Sequence, residues 1–305
     1  MNQHIIAADI GGSHISSTVI HTKNWQIDPT QITETKVNAF ADKESIILGW
    51  VQNLQQTART NNITDNYQIA IALPGPFDYQ KGIFQAHPKG KMSSLVGEDF
   101  RSLLLPHFGD NLKIAFANDA ACFGLGAACF GKGKPYDRII GITLGTGIGS
   151  SFIGHQKIIS KGHGVPVGGE VYALPFLQGI ADDYFSTRWF VAETKRALGK
   201  TVTGVRELVE TMPPDDVNPI FTKFSHQFYQ FLRPYATNFK AEAIIIGGNI
   251  AKAWPCFSTA LINFFAQDNI TVLPSTLNEK AIILGAAKVF ADKENTTTTN
   301  NSYDL

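Results

Sequence analysis

One strand–glycine turn–strand unit is written twice in this chain, and that repeat restricts the fold more than any other feature. Ile5–Ile20 reads IIAADIGGSHISSTVI and Ile139–Gly154 reads IIGITLGTGIGSSFIG. A gapless offset of 139 − 5 = 134 sets Ile6 on Ile140, Ile10 on Leu144, Gly11 on Gly145, Ser16 on Ser150 and Ser17 on Ser151, with Asp9 meeting Thr143. Each copy is a short apolar run with β-branched residues, which suits a strand. Glycines follow, allowing a tight turn that side chains would block, and then a second strand. Taken alone, the first copy reads as a β-hairpin with a polar tip. It also reads as a turn whose backbone N–H groups face a phosphate, with Asp9 placed for a metal ion. Repeats at a short regular period indicate a solenoid. A single long-period repeat indicates two related lobes instead. Two glycine hairpins facing each other across a cleft could hold a polyphosphate from both sides.

The chain's 305 residues suffice for two domains. Hydrophobic residues at 44% and charged residues at 17% allow a substantial core and exclude global disorder. Lys plus Arg and Asp plus Glu each number 26, so net charge makes no case for nucleic acid or an anionic membrane as partner. Cys122, Cys129 and Cys256 sit in apolar segments and read as buried reduced thiols. No basic segment followed by an apolar stretch opens the chain, and no apolar run is long enough to span a bilayer. The expected location is cytoplasmic.

Strands and helices alternate along the chain, which indicates α/β architecture. Trp25–Val37 reads as a strand with its connection. Ile46, Ile47, Trp50, Val51 and Leu54 have helical spacing. YQIAIALPGPFD is a strand stopped by Pro74-Gly75-Pro76. LKIAFAND is a strand ending near Ala117, and a helix of small residues starts around Asp119. GHGVPVGGEVYALPFLQGIADDYFSTRWF is a glycine-rich loop leading into a helix. Residues 216–240 form a long aromatic-rich helix. AEAIIIGGNIAKAW is a buried strand, a glycine turn and a helix start, and NEKAIILGAAKVFADK is the last helix. The polar tail NTTTTNNSYDL is expected to be disordered.

Four glycine-bearing turns follow strands: Asp9-Ile-Gly-Gly-Ser, Leu73-Pro-Gly-Pro, Leu144-Gly-Thr-Gly-Ile-Gly and Ile246-Gly-Gly-Asn. Their order from Ile5 to about Ala291 resembles the sugar kinase, Hsp70 and actin superfamily, and within it the ROK family of repressors, unassigned reading frames and sugar kinases. The resemblance implies a two-lobed actin-like ATPase (ribonuclease H-like) fold with an interlobe cleft. It implies an N-terminal lobe of residues 1–117 plus 278–294 and a C-terminal lobe of residues 118–277, with 295–305 as the disordered tail. Gly11, Gly12, Ser13 and His14 would be the first phosphate loop, and Thr143, Gly145, Thr146 and Gly147 the second. Gly247, Gly248 and Asn249 would open the helix on the adenosine side. NDAACFGLGAACFG looks like the family's Asn-Asp stretch, making Asp119 the catalytic aspartate and Asn118 beside it a substrate-binding residue. GGEVYAL looks like the family's GEIGH, making Glu170 a sugar-hydroxyl ligand, and IADDYFS looks like CLExYxS, which sets Asp182 where a second sugar-binding glutamate is usual.

Chemistry agrees with these assignments, because phosphoryl transfer to a sugar needs a base near the hydroxyl, donors around the phosphates and a divalent cation. An aspartate at a helix N-terminus is stabilised as the anion by the helix dipole, so Asp119 is expected to be ionised. Other readings stay open beside these. Taken without the surrounding pattern, Asp119 reads more readily as a plain N-cap; Glu170 reads equally as a solvated loop carboxylate, and Asp183 could take the local role of Asp182. His163 reads as a loop histidine ahead of the alternative, a substrate neighbour.

Three departures from the family pattern stand out. Ala173 occupies the histidine position of GEIGH, and Leu174–Ile180 has no cysteine, so the family's structural zinc has no ligands here. Leu174, Phe176 and Leu177 are expected to pack where the metal would have held the loop. Asp182 in place of glutamate shortens the reach to a sugar. Only Met1–His4 precede the first strand, so a helix-turn-helix repressor is not expected. The expected activity is ATP-dependent transfer of a phosphoryl group to a hexose hydroxyl, foremost the 6-hydroxyl of glucose or a related hexose. The expected cofactors are ATP and Mg²⁺, with Asp9 reaching Mg²⁺ directly or through water, and no zinc. The expected partners are a small-molecule sugar and ATP, no nucleic acid and no membrane, with a homodimer allowed for. The alternative is a catalytically degenerate ROK protein acting as a sugar-binding sensor.

Overall fold

The computed structural model describes residues 4–86 and 90–301, the last six of them by backbone alone. The chain divides into two compact units, Met1–Cys122 with Lys280–Leu305, and Phe123–Glu279. The first unit begins with β1 (His4–Ile10), β2 (His14–His21), β3 (Thr33–Lys36) and α1 (Lys43–Thr60). It continues through β4 (Gln68–Leu73), a small hairpin of β5 (Phe77–Asp78) and β6 (Ile83–Phe84), α2 (Phe100–Phe108) and β7 (Lys113–Asn118). Then α3 (Asp119–Phe130) begins. The sheet order is β3-β2-β1-β4-β7, antiparallel from β3 to β1 and parallel from β1 through β4 to β7.

The second unit repeats this plan. It contains β8 (Arg138–Leu144), β9 (Ile148–Gly154), β10 (Lys157–Ile158), a hairpin of β11 (Pro175–Phe176) and β12 (Gly179–Ile180), and a single helical turn, α4 (Ala181–Tyr184). The helices α5 (Thr187–Leu198), α6 (Val205–Thr211) and α7 (Pro214–Phe239) precede β13 (Ala243–Gly247), α8 (Trp254–Ala266) and β14 (Thr271–Pro274). The order is β10-β9-β8-β13-β14 with the same pattern of antiparallel and parallel neighbours. The sequence repeat is therefore a repeat of sheet topology, as a ribonuclease H-like fold requires. Finally α9 (Lys280–Asn301) returns to the first unit and packs on β4, β1 and β7.

Local chemistry explains these elements. The central strand β1 is covered on both faces, so it is a continuous apolar run rather than an alternating one. Asp42 caps α1 by accepting from the Ser45 N–H at 2.8 Å. Helix α1 buries Ile46, Ile47, Trp50, Val51 and Leu54, the set expected from spacing. Its buried Asn53 accepts from Ser17 Oγ at 2.6 Å and donates to the Thr33 carbonyl at 3.1 Å, so no polar atom of that side chain is stranded under the sheet. In the second unit α7 buries Phe221, Phe224, Phe228 and Phe231 against Phe185, Phe190 and Phe257.

Four expectations need amendment. The chain divides after Cys122 and after Glu279, not at 117 and 277, so Asn118–Cys122 belong with the first unit. The first turn of α3 stays there because Asn118 is bonded to Tyr79. Helix α9 runs to Asn301, seven residues into the stretch expected to be disordered, and Ser302–Leu305 lie outside the described residues. Extending a helix already nucleated on a packed face fixes one residue per added bond, which a polar tail tolerates. Cys122 and Cys129 are buried, but Cys256 is only half-buried, because α8 turns it toward its partly covered flank. Finally, α2 was not anticipated. Its signal was Asp99 as N-cap and Phe100, Leu104 and Phe108 at helical spacing, masked by an internal Pro106.

Candidate active site

In the first unit β1, β4 and β7 are parallel, so their C-terminal ends share one edge of the sheet. Asp9 lies at the end of β1, partly buried, with Ala72 of β4 as its register partner. Asn118 ends β7 and Asp119 starts α3. The carboxyl ends of parallel strands are where open α/β sheets bind ligands, because neighbouring connections diverge there and leave a crevice. Both carboxylates act on one group. Burial pushes the Cys122 thiol well up, and the charges of Asp119 and Asp9 push it further the same way.

Asn118, not Asp119, is the N-cap of α3. Its Oδ1 accepts from the Ala121 N–H at 3.0 Å, and its Nδ2 donates to Tyr79 Oη at 3.2 Å. Tyr79 in turn donates to the Leu73 carbonyl at 3.1 Å. Asp119 is thereby released from capping, and its Oδ1 accepts from the Ala120 N–H at 2.8 Å. Surrounding protein atoms desolvate its carboxyl and raise its pKa, outweighing the Ala120 N–H and the Lys91 ammonium, which act the other way. The expected dominance of the helix dipole is overturned: burial sets the direction, and a raised pKa makes Asp119 a stronger base.

The first glycine turn closes on itself, with the Gly11 N–H donating to the His14 carbonyl at 2.9 Å. Donors for a ligand therefore fall to Gly12 and Ser13, not Gly11. The carbonyls of Gly12 and Ser13 accept from Ala39 and Val37 at 3.3 and 2.9 Å, which anchors the turn from behind. Ser13 Oγ and His14 Nδ1 are 3.1 Å apart. Sequence reasoning missed Lys91. A Cβ built on Gly12 would stand 3.1 Å from the Lys91 ammonium, so the cation lies against the turn, and it also acts on Asp119. The next residue, Met92, is buried and donates its N–H to the Ala39 carbonyl at 2.7 Å, fixing the base of the lysine to the segment that holds Gly12.

In the second unit the C-terminal ends of β8 and β13 carry the other two turns side by side, with Thr143 and Gly247 paired in register. The Gly145 N–H is spent on the Gly147 carbonyl at 3.0 Å. Gly248 has φ +86° and sits beside the Leu144 backbone. Asn249 leads into a turn of 3-10 helix, Ile250–Ala253, before α8 rather than into an α-helix directly. It lines a concavity of about 620 Å³ with Thr187, Val205, Val209, Ile250, Lys252 and Ala253. Apolar walls with a few polar groups suit a flat heterocycle.

Glu170 follows a loop that is fastened by Ser150, whose Oγ donates to the Gly169 carbonyl at 2.6 Å and accepts from the Val171 N–H at 3.0 Å. It faces a concavity of about 600 Å³ with Tyr172, Val165, Pro166 and Tyr235. Burial, then the charges of Glu170 and Asp182, raise the Tyr172 pKa. Asp182 is engaged at both oxygens: Oδ1 accepts from the Ile148 N–H at 3.0 Å and Oδ2 from Arg188 Nη2 at 2.8 Å. Asp183 accepts from the Ile180 N–H at 3.1 Å and so serves its own turn, not the role of Asp182. His163 Nδ1 is 3.0 Å from the Asn238 carbonyl, a loop contact.

Where a structural zinc was not expected, Phe176 packs against Tyr184, Phe185 and Phe231, with ring centroids 5.2 to 5.4 Å apart. Leu174 packs on the same core, whereas Leu177 is 64% exposed at the hairpin tip with φ 50°, against expectation, because the two-residue turn points it outward. Among the described residues no group of three or more His, Cys, Asp and Glu side chains could hold a metal ion. The hairpin is thus held by aromatic contacts. A strong chelator is expected to leave the melting temperature unchanged; a drop of several degrees with one zinc released per chain would contradict this.

Comparison with known proteins agrees with this architecture. The model of the ROK family matches residues 5–171. A glucokinase from Thermotoga maritima is 25% identical over 95% of this chain and 98% of its own length. The crystal structure of a ROK family glucokinase from Streptomyces griseus, in complex with glucose and AMPPNP, covers 94% of this chain and 99% of its own at 21% identity and TM-score 0.70. A ROK family protein from Streptococcus pneumoniae, solved in complex with sucrose, covers 96% of this chain and 100% of its own at 18% identity and TM-score 0.75. The solved structures bear on the fold, which is that of actin-like ATPases. Among the described residues no helix is long and apolar enough to cross a membrane.

Proposed function

Because this chain belongs to the ROK family, we propose that it is a sugar kinase that transfers the γ-phosphoryl group of ATP to a hexose hydroxyl, foremost the 6-hydroxyl of glucose or a related hexose. The observation that carries this reading is Asp119: a carboxylate released from capping, at the C-terminal edge of the parallel strands, with its basicity raised by burial. Such a group can take the proton of an attacking hydroxyl, with positioning contributing alongside base strength.

The other residues take roles consistent with that step. In the first unit the Gly12 and Ser13 N–H groups would donate to a phosphate; in the second, Thr143, Thr146 and Gly147 would form the corresponding phosphate turn. Gly247, Gly248 and Asn249 would border the nucleoside, its base against Val205, Val209 and Ile250. Glu170 would accept from sugar hydroxyls, and Asn118 would hold Asp119 in place through the Tyr79 contact. Mg²⁺ commonly binds through one or two carboxylates and the substrate phosphates, and Asp9 at the end of β1 beside the glycine turn fits that demand. Bound there, the ion would neutralise charge on the phosphates.

ADP release measured over a panel of hexoses with Mg-ATP tests the activity. Hexose-dependent release is expected. Tight hexose binding with no release for any sugar would sink the kinase reading and favour a sugar-binding sensor.

Lys91 adds a cation beside the first turn. Loss of one donor to a charged group corresponds to roughly 10- to 100-fold. Lys91→Ala is therefore expected to lower kcat by about that factor with hexose KM little changed. Unaltered kcat would remove Lys91 from the site.

A further inference from the structure

The segment Asp182–Arg188 grips the second glycine turn at four points. Asp182 Oδ1 accepts from the Ile148 N–H at 3.0 Å, one residue beyond Gly147. Arg188 Nη1 donates to the Thr146 carbonyl at 3.1 Å while its Nη2 donates to Asp182 Oδ2 at 2.8 Å. Thr187 donates twice to the Gly145 carbonyl, from its N–H at 2.8 Å and from Oγ1 at 2.9 Å. The fit is close: a Cβ on Gly147 would come within 2.1 Å of Asp182 Oδ1, so any side chain there would displace the carboxylate. Asp182 is mostly covered, its side chain 15% exposed, and Arg188 shields it from outside.

From this geometry we infer that Asp182, Arg188 and Thr187 form a latch that fixes the Thr143–Gly147 turn for the nucleotide, with Asp182 a positioning residue for the phosphate donor and not a sugar ligand. The inference rests on the sugar kinase reading. Three physical points carry it. Both Asp182 oxygens already accept charge-assisted or backbone bonds, so recruiting one for a hydroxyl would disturb its hold on the turn. The shorter Asp side chain brings the carboxylate to β9 at hydrogen-bond distance. The planar Arg188 fork joins two acceptors that a lysine's single ammonium would not span in the same way. The same Thr187 also lines the concavity beside Asn249, so the latch touches both the phosphate turn and the nucleoside side.

Kinetics with ATP and hexose varied separately test the latch. Asp182→Asn, Arg188→Ala and Thr187→Val are expected to raise the KM for ATP, by about tenfold for the first two and less for the third, with hexose KM within twofold of the parent. Arg188→Lys should recover part of the loss. The double variant D182N/R188A should be no worse than the poorer single one, since the two residues act as one unit. A raised hexose KM with unchanged ATP KM in D182N would overturn the latch and restore Asp182 as a sugar ligand. Calorimetric titration of Mg-ADP provides the separate readout. If the parent protein phosphorylates no hexose, the kinase reading fails, and weaker Mg-ADP binding by R188K and T187V would still support the latch. Unchanged Mg-ADP affinity in those two folded variants would overturn it.

Discussion

Asp119→Asn is expected to reduce kcat by roughly 10²- to 10⁴-fold, the range for loss of a general base, while making the protein slightly more heat-stable. Asparagine has nearly the same shape and can still accept from the Ala120 N–H, so the start of α3 should keep its geometry. The stability effect follows from the direction of the pKa shift. Burial raises the Asp119 pKa above the ordinary 3.8, so the folded protein holds this proton more tightly than the unfolded chain. For a raised carboxylate, stability is greatest below 3.8 and falls as pH rises through the folded pKa. At neutral pH the charged, desolvated form is the cost that asparagine removes. Melting curves of both proteins should therefore diverge as pH rises from acid to neutral, with the variant the higher. Activity of the parent should fall as pH drops through the raised pKa. A variant with near-normal kcat removes Asp119 from the chemistry. A variant whose melting temperature falls by the same amount at acid and neutral pH refutes the desolvation argument. If both effects occur, the site is one where function is retained at the expense of stability.

Gly248→Ala is expected to disrupt the second unit strongly. Gly248 has φ +86°, where L residues are strained, and its Cβ would stand 2.4 Å from the Leu144 carbonyl oxygen and 2.7 Å from the Leu144 nitrogen. Both atoms are backbone, in the strand that leads into the Thr143–Gly147 turn, so no side-chain rotation relieves the clash. Strain of roughly 1–2 kcal/mol from the left-handed backbone and about 1–3 kcal/mol from overpacking give a loss on the order of 2–5 kcal/mol. The melting midpoint of the second unit should fall by on the order of 10 °C. The damage should also reach the nucleotide, because the displaced strand end carries the phosphate turn. Weakened Mg-ADP binding together with the lower midpoint is the expected result. A midpoint within two or so degrees of the parent's would mean that the turn relaxes more freely than its packing allows.

Much of this architecture was legible because the relevant signals are local. The strand β1 and its copy β8 announce themselves as apolar runs closed by glycines, and the short glycine turns that join them to β2 and β9 set the register of each hairpin. Helix α1 was readable from its spacing, and α7 from its phenylalanines. Helix α2 was not, since Pro106 interrupts the pattern that Phe100, Leu104 and Phe108 complete only when packed.

The candidate site divides in the same way. Asp9, Asp119 and the glycine turns were visible in the sequence, because a carboxylate or a glycine pair closing an apolar strand is a local event. Their environment was not. Which of Asn118 and Asp119 caps α3 is one residue's difference in dihedral angles, and the answer decides whether Asp119 is available. The direction of its pKa shift depends on how many protein atoms surround it, a quantity that neighbours along the chain do not specify. Lys91 lies 79 positions beyond Gly12 (91 − 12), and Arg188 lies 42 beyond Thr146. Neither residue lies in a recognisable motif, because one long flexible side chain can serve a distant turn from many starting points. Sequence determined the repeated hairpins, the parallel strand ends and the residues poised on them. Tertiary structure decided which of those residues are spent on holding the site and which are left to act, because hydrogen-bond partners and desolvation are set by neighbours in space.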